Sequence, residues 1–156
     1  YQILSEYTQG ILHGTKDFVW TLNPMNDELI KVIIHLKDFG EGLFGEKNIN
    51  FSFEGDLEFE KQLPTGSNRQ ITLIFKEAMT NVYKHAGATD VLFGVAFNPR
   101  LVQIYLVDNG IGIKPETLNR SEQGINNMRL RSKKINSQLE ILVNDAGTTI
   151  RLSIKI

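Results

Sequence analysis

The chain has 156 residues, 41% hydrophobic and 22% charged, with 17 basic against 18 acidic side chains and a formal net charge of -1. That is one domain's worth of chain with enough apolar content for a core, and its balanced charge argues against nucleic acid as a partner, because neutralising phosphates needs a basic surplus. The absence of cysteine excludes a disulfide framework, a thiolate zinc site and a cysteine nucleophile. No apolar run is long enough to span a bilayer, and Tyr1-Gln2-Ile3-Leu4-Ser5-Glu6 does not read as a signal peptide. The expectation is a cytoplasmic domain, and the missing initiator methionine suggests a segment of a longer protein.

Residues 1–22 contain no proline and place Leu4, Tyr7, Ile11, Phe18 and Leu22 on one stripe. That narrow seam fits a helix packed against partner helices, although Gly10 and Gly14 weaken it by roughly 1 kcal/mol each relative to alanine. Asn23-Pro24 stops it. Asn26 or Asp27 then caps a second helix running to about Phe44, with Leu29, Val32, Ile33, Leu36 and Phe39 on one face and Gly40, Gly42 and Gly45 fraying its end. Alternation over Asn48 to Glu54 predicts a half-buried strand, and Leu57 to Leu63 supplies another strand or an edge segment before Pro64-Thr65-Gly66 breaks the chain.

The clearest predicted helix covers residues 67–86, with Ile71, Phe75, Ala78, Met79 and Val82 as its core stripe. Val91 to Phe97 and Leu101 to Val107 read as central strands of an antiparallel hairpin turning at Asn98-Pro99-Arg100. A polar loop with Gly110, Gly112 and Pro115 runs from Asp108 to Gln123, longer than compact domains keep without a functional reason. A helix from Gly124 to Ile135 and strands at Gln138 to Val143 and Thr149 to Ile156 complete the chain. Helices over one face of a mostly antiparallel sheet make the fold class α+β.

Four features on this frame could carry chemistry. On helix 67–86, Glu77, Asn81 and Lys84 fall on one flank with His85 at its border. A carboxylate and a carboxamide suit magnesium, and an ammonium and an imidazole suit phosphoryl oxygens. The same residues also read as a solvated flank with a Glu/Lys pair. Asp108 ends a central strand and precedes Gly110 and Gly112, so a carboxylate there could accept from an exocyclic amine while the glycines admit a flat ring or a phosphate; the bland reading is an Asn-Gly turn. Gly124 opens a helix after the polar loop, where exposed N–H groups favour anions. Gly147-Thr148-Thr149 opens the last strand, which is equally a hairpin turn.

In this order, the four resemble the ATP-binding domain shared by sensor histidine kinases, DNA gyrase, MutL and the heat-shock chaperone ATPases. Glu77-Ala78-Met79-Thr80-Asn81-Val82-Tyr83-Lys84-His85-Ala86 is similar to the N box of the histidine kinases. Asp108-Asn109-Gly110-Ile111-Gly112-Ile113 resembles their first glycine box, Gly124-Ile125-Asn126-Asn127-Met128-Arg129 the second, and Gly147-Thr148-Thr149 the closing motif. Asp17-Phe18-Val19-Trp20-Thr21-Leu22-Asn23-Pro24-Met25-Asn26-Asp27 resembles the end of a dimerisation helix in a bacterial subgroup. The resemblance implies a two-layer α/β sandwich of the Bergerat type over residues 23–156, preceded by dimerisation helix over 1–22.

It also implies ATP and Mg2+ as cofactors. Asp108 would accept from the adenine amine, with Thr148 or Thr149 nearby through water. Asn81 would ligate magnesium with Glu77 in support, Lys84 and His85 would hold phosphoryl oxygens, and Gly110, Gly112 and Gly124 would line the lid. The γ-phosphoryl would pass to a histidine outside this chain and then to a response regulator, in a homodimeric parent whose membrane anchoring the sequence leaves open. His13, followed by Gly14, and His35, on the second helix, do not match the phosphoacceptor pattern. Glu122 and Asn136-Ser137 stand where the family favours glycines. The Glu122 departure is the feature behind an alternative, a degenerate regulatory module that signals by dimerisation and docking.

Overall fold

The computed structural model describes Lys16, Val19, Trp20 and residues 28–58, 60–112 and 123–156. The expected helix over 1–22 therefore lies almost wholly outside the described residues, as do His13, Asn26, Asp27, Glu122 and most of the loop after Gly112. In chain order the elements are α1 (Leu29–Gly45), β1 (Asn50–Glu54), α2 (Ser67–Asn81), a π-helical turn (Val82–Ala86), β2 (Asp90–Asn98), β3 (Leu101–Asp108), α3 (Gln123–Lys134), β4 (Gln138–Asn144) and β5 (Gly147–Lys155). The strands lie in the order β1-β2-β3-β5-β4. Only the β1–β2 pair is parallel; β2–β3, β3–β5 and β4–β5 are antiparallel. This is the expected α+β architecture, a mixed and mostly antiparallel sheet with β3 at its centre.

Period-two alternation decides which side of the sheet is covered. Val91, Phe93 and Val95 of β2, Val102, Ile104 and Leu106 of β3, and Ile150, Leu152 and Ile154 of β5 share one face, and all are buried. Against them pack Leu29, Val32, Ile33 and Leu36 of α1, Ile71, Ile74, Phe75, Ala78 and Met79 of α2, and Ile125 and Met128 of α3. Phe93 is the hinge of this core: its ring centroid lies 5.7 Å from that of Phe75 and 5.9 Å from that of Phe53, both at tilted angles that aromatic rings favour. The other face is open, with Tyr105 lying over Gly94 and donating to Glu54.

Three local expectations change. The glycines of α1 do not fray it, because the helix continues to Gly45 and buried Gly40 is needed for contact: a β-carbon there would overlap the Phe51 ring. Residues 57–63 form no strand among the described residues; only the Glu28↔Gln62 bridge ties that segment to the start of α1. The helix predicted over 67–86 is α-helical only to Asn81, and Val82–Ala86 widens into a π turn. His35 is half-buried with its ring stacked on Trp20, centroids 3.9 Å apart.

Phe93→Ala should cost about 3–5 kcal/mol, as expected for emptying a fully packed aromatic site, and urea unfolding of the two proteins measures it.

Candidate functional site

The site begins with the end of β3. Asp108 pairs with Val91 on one side and Thr148 on the other, which turns its side chain to the helix-covered face. It is only 6% exposed. A carboxylate in such a place must be hydrogen-bonded or it will take up a proton. The backbone N–H of Gly110 donates to its Oδ1 at 2.8 Å, and the backbone of Thr148 supplies a second hydrogen bond. Burial still dominates and holds the carboxyl above the ordinary aspartate range, while the two backbone donors pull it down. Asp108 is thus an acceptor with limited solvation, suited to a neutral N–H donor.

Glycines bring distant segments into close contact, at the end of β3 and along α2. Gly147 packs on the Asp108 backbone with φ +136°, and a β-carbon there would collide with the Asp108 carbonyl. Gly110 sits against Ala86 so closely that a methyl group would overlap the Ala86 carbonyl, which accepts from the N–H of Ile111 at 2.9 Å. The first glycine segment is therefore fastened to the last residue of the π turn. Gly112, at φ +75°, lies beside Val143, Asn144 and Gly147. Gly124 lies against Glu77, whose Oε1 occupies the space a side chain would need. Segments far apart in sequence meet here because the positions between them lack side chains.

α2 and its π turn carry the remaining candidates. Glu77 and Asn81 stand one turn apart and are both half-buried, whereas Lys84 and His85 on the wider turn are exposed. A π turn leaves some carbonyls without their usual partner. That of Tyr83 is taken by the Lys47 ammonium at 2.7 Å, which also lies 4.0 Å from the centre of the Tyr83 ring. The Tyr83 hydroxyl donates to Glu46 at 3.1 Å. The residues that end α1 therefore clamp the turn that presents Lys84 and His85. The Glu77 carboxylate beside Gly124 lies at the N-terminal end of α3, whose first turn has no acidic residue of its own; a negative charge is favourable there.

The two threonines separate. Thr148 shares the face of Asp108 and is buried, while Thr149 pairs with Val107 and Leu142 and points to the open face. Thr148 is the one placed to act beside Asp108. Asn136 adopts φ +50°, a left-handed geometry that asparagine enters more readily than most residues, so it supplies the bend for which the family favours glycine. Ser137 follows by exchanging hydrogen bonds with Ser132. Among the described residues no group of three or more His, Asp and Glu gathers to hold a metal ion. Magnesium bound chiefly by phosphate oxygens and water needs only one or two protein donors, and the Asn81–Glu77 pair provides that many.

Sequence reasoning missed Asn109, treated only as part of a turn. Its side chain makes four hydrogen bonds: Oδ1 accepts from the N–H groups of Thr89 and Asp90 at 3.0 and 2.9 Å, and Nδ2 donates to Thr89 Oγ1 and Asp90 Oδ2 at 2.9 and 3.1 Å. An asparagine after a strand-ending aspartate gave no hint of this, because its partners lie about 20 residues earlier.

This arrangement of sheet and covering helices is the fold of solved histidine kinase ATP-binding domains. The solved ATP-binding domain of PrrB from Mycobacterium tuberculosis superimposes with a TM-score of 0.66 at 15% identity, covering 82% of this chain and 93% of that one. The blue-light activated histidine kinase of Erythrobacter litoralis superimposes with a TM-score of 0.75 at 16% identity, covering 96% of this chain and 49% of that one. In sequence the chain is 28% identical over 105 residues to the sensor histidine kinase LiaS of Bacillus subtilis, an overlap of 65% of this chain and 29% of LiaS. No family model matches. The chain has the fold of the ATP-binding catalytic domain of histidine kinases, and its sequence relatives are sensor histidine kinases. It spans under a third of the length of LiaS.

Gly147→Ala should destabilise the domain by about 2 kcal/mol or more, since both its φ and its contact forbid a side chain. Gly45→Ala, in open space at the end of α1, should instead be neutral or stabilise by up to about 1 kcal/mol. Thermal unfolding of both variants checks the contrast.

Proposed function

We propose that this chain is the ATP-binding catalytic domain of a two-component sensor histidine kinase. The observation that carries the reading is the buried, backbone-held carboxylate of Asp108 at the junction of the four glycine-bearing and polar motifs. Asp108 accepts a hydrogen bond from the adenine amine, and Thr148 stands beside it. Gly110, Gly112 and Gly124 form the hinges and walls of the ATP lid, packed on Ala86, Val143 and Glu77. Lys84 and His85, exposed on the π turn, donate to phosphoryl oxygens. Asn81 holds Mg2+ with Glu77 in support, and the ion supplies charge neutralisation at the phosphates. The protein's share of such a reaction is positioning and charge stabilisation.

The γ-phosphoryl acceptor in this reading is a histidine on a dimerisation helix outside the described residues. His35, stacked on Trp20, and His85, beside the phosphates, are not placed to be that acceptor. The parent protein acts as a homodimer and passes the phosphoryl group to the receiver domain of a response regulator. The sequence relatives support this, since all are sensor kinases or sensor proteins. In this reading the domain works in the cytoplasm. No helix among the described residues is long and apolar enough to cross a membrane.

Calorimetric titration of Mg·ATP into the chain should show saturable binding. Asp108→Asn should weaken it about tenfold or more, because a buried acceptor is replaced by a group that turns a donor toward an amine. Asn81→Ala should remove the dependence of binding on magnesium. Absence of saturable binding at millimolar nucleotide by the unsubstituted chain would overturn the reading. A dimerisation helix bearing its histidine, supplied in trans, should become acid-labile phosphohistidine with the wild type and not with Asn81→Ala.

Titration of the site has a definite sign. The ionised Asp108 is the stronger acceptor, and burial raises its pKa, so affinity should fall as pH drops through that raised value. The loss should set in at a higher pH than an ordinary aspartate would give, and Asp108→Asn should lack it.

A further inference from the structure

The four hydrogen bonds of Asn109 connect two stretches of chain that the nucleotide reading assigns to opposite ends of one ligand. Asn109 directly follows Asp108, the adenine acceptor. Thr89 and Asp90 follow the π turn that ends the phosphate-facing helix, with only Gly87 and Ala88 between Ala86 and Thr89. All the hydrogen-bonding capacity of the Asn109 amide that faces the protein is used, two acceptances and two donations.

Its partners are themselves fixed. Thr89 Oγ1 donates to Asp90 Oδ2 at 2.6 Å, and Asn50 Nδ2 at the start of β1 donates to Asp90 Oδ1 at 3.1 Å. The same junction is bolted by the backbone, with Asn109 N–H donating to the Asp90 carbonyl at 3.3 Å and Ile111 N–H to that of Ala86 at 2.9 Å. These donors hold the Asp90 carboxyl below the usual aspartate range, Thr89 first, then Asn50, then Asn109.

We propose that Asn109 is a positioning residue that sets the spacing between the adenine-binding carboxylate of Asp108 and the turn presenting Lys84 and His85, by bridging the end of β3 to Thr89 and Asp90. The proposal rests on the nucleotide reading given above. Asn109 touches neither end of the ligand in this scheme. It acts by keeping Asp108 and the phosphate-facing turn at one separation, so that a single nucleotide reaches both. A ligand that engages only the Asp108 end does not depend on that separation, because Gly110 and Thr148 hold the carboxylate independently of Asn109.

The chemistry of the pair supplies a test that a merely structural role would not pass. Asn109→Asp keeps the oxygen that accepts from the two N–H groups but loses the donor and faces the Asp90 carboxylate with a second one. Asp90→Asn in the same chain returns a donor and an acceptor to that contact, with the charge exchanged and the total unchanged. Calorimetry would use Mg·ATP and adenosine as the two probes. Asn109→Asp is expected to weaken Mg·ATP by about tenfold or more while changing adenosine by less than about threefold, a split matching the loss of a hydrogen bond to a charged group plus like-charge repulsion. The double variant is expected to recover Mg·ATP affinity to within about threefold of wild type.

Equal losses for both ligands would overturn the proposal, and so would a double variant as weak as the single one. A wild type that binds neither probe would instead overturn the nucleotide reading itself, so the two failures are distinguishable. Asn109→Ala provides a second arm: exchange of the Thr89 and Asp90 amide hydrogens should accelerate in it and stay slow in Asn109→Asp, and unchanged protection in the alanine variant would likewise overturn the bridge.

Discussion

A buried carboxyl held by backbone donors is the constraint around which this domain is arranged. Asp108 sits at the last position of the central strand, 6% exposed, where desolvation alone would favour its neutral form. The sheet meets that demand with backbone rather than with a counter-ion. The chain bends back at Gly110 to offer one N–H and runs alongside as β5 to offer another at Thr148. Backbone donors satisfy the group without neutralising it, so its remaining lone pairs keep their affinity for an arriving donor. A lysine or arginine in their place would have quenched the acceptor by forming an ion pair.

Much of the surrounding geometry follows from making room for this group and its neighbours. Gly147 must be glycine because the β4–β5 turn passes over the Asp108 backbone, and Gly110 because the segment after β3 presses on Ala86. Gly124 allows the N-terminal end of α3 to approach Glu77. These contacts join four distant stretches of sequence at one place. In the proposed reading a phosphate-bearing ligand meets polar side chains of α2 and the exposed Lys84 and His85, an arrangement that needs no broadly basic surface and fits a net charge of -1.

The π turn over Val82–Ala86 departs from the continuous helix predicted over 67–86. Extending α2 as a regular helix would have kept Lys84 on the flank of Glu77 and Asn81. Widening the last turn instead carries Lys84 and His85 outward, and the carbonyl of Tyr83 turns to Lys47 from beyond α1. Lys47 and Glu46 grip one tyrosine through its carbonyl, its ring and its hydroxyl. π turns often mark functional sites for this reason: the irregularity costs helix hydrogen bonding and persists only where other contacts compensate.

Hydrophobic periodicity alone determined the number and type of most elements, the central place of β2 and β3, and the inward faces of the strands, because these depend on spacings of two and 3.6 residues that neighbours in sequence carry. The order of polar and glycine motifs grouped Glu77, Asn81, Lys84, His85, Asp108 and the glycines as one candidate set by their resemblance to a known family. What only the tertiary structure decided were relations between residues far apart in the chain. That Thr148 rather than Thr149 faces Asp108 follows from strand register, that Gly40 serves the Phe51 ring follows from helix-on-sheet packing, and that Asn109 bridges to Thr89 and Asp90 follows from a contact across about 20 residues. Sequence patterns report what a residue's neighbours demand locally; which distant backbone a side chain will meet is set only when the sheet closes.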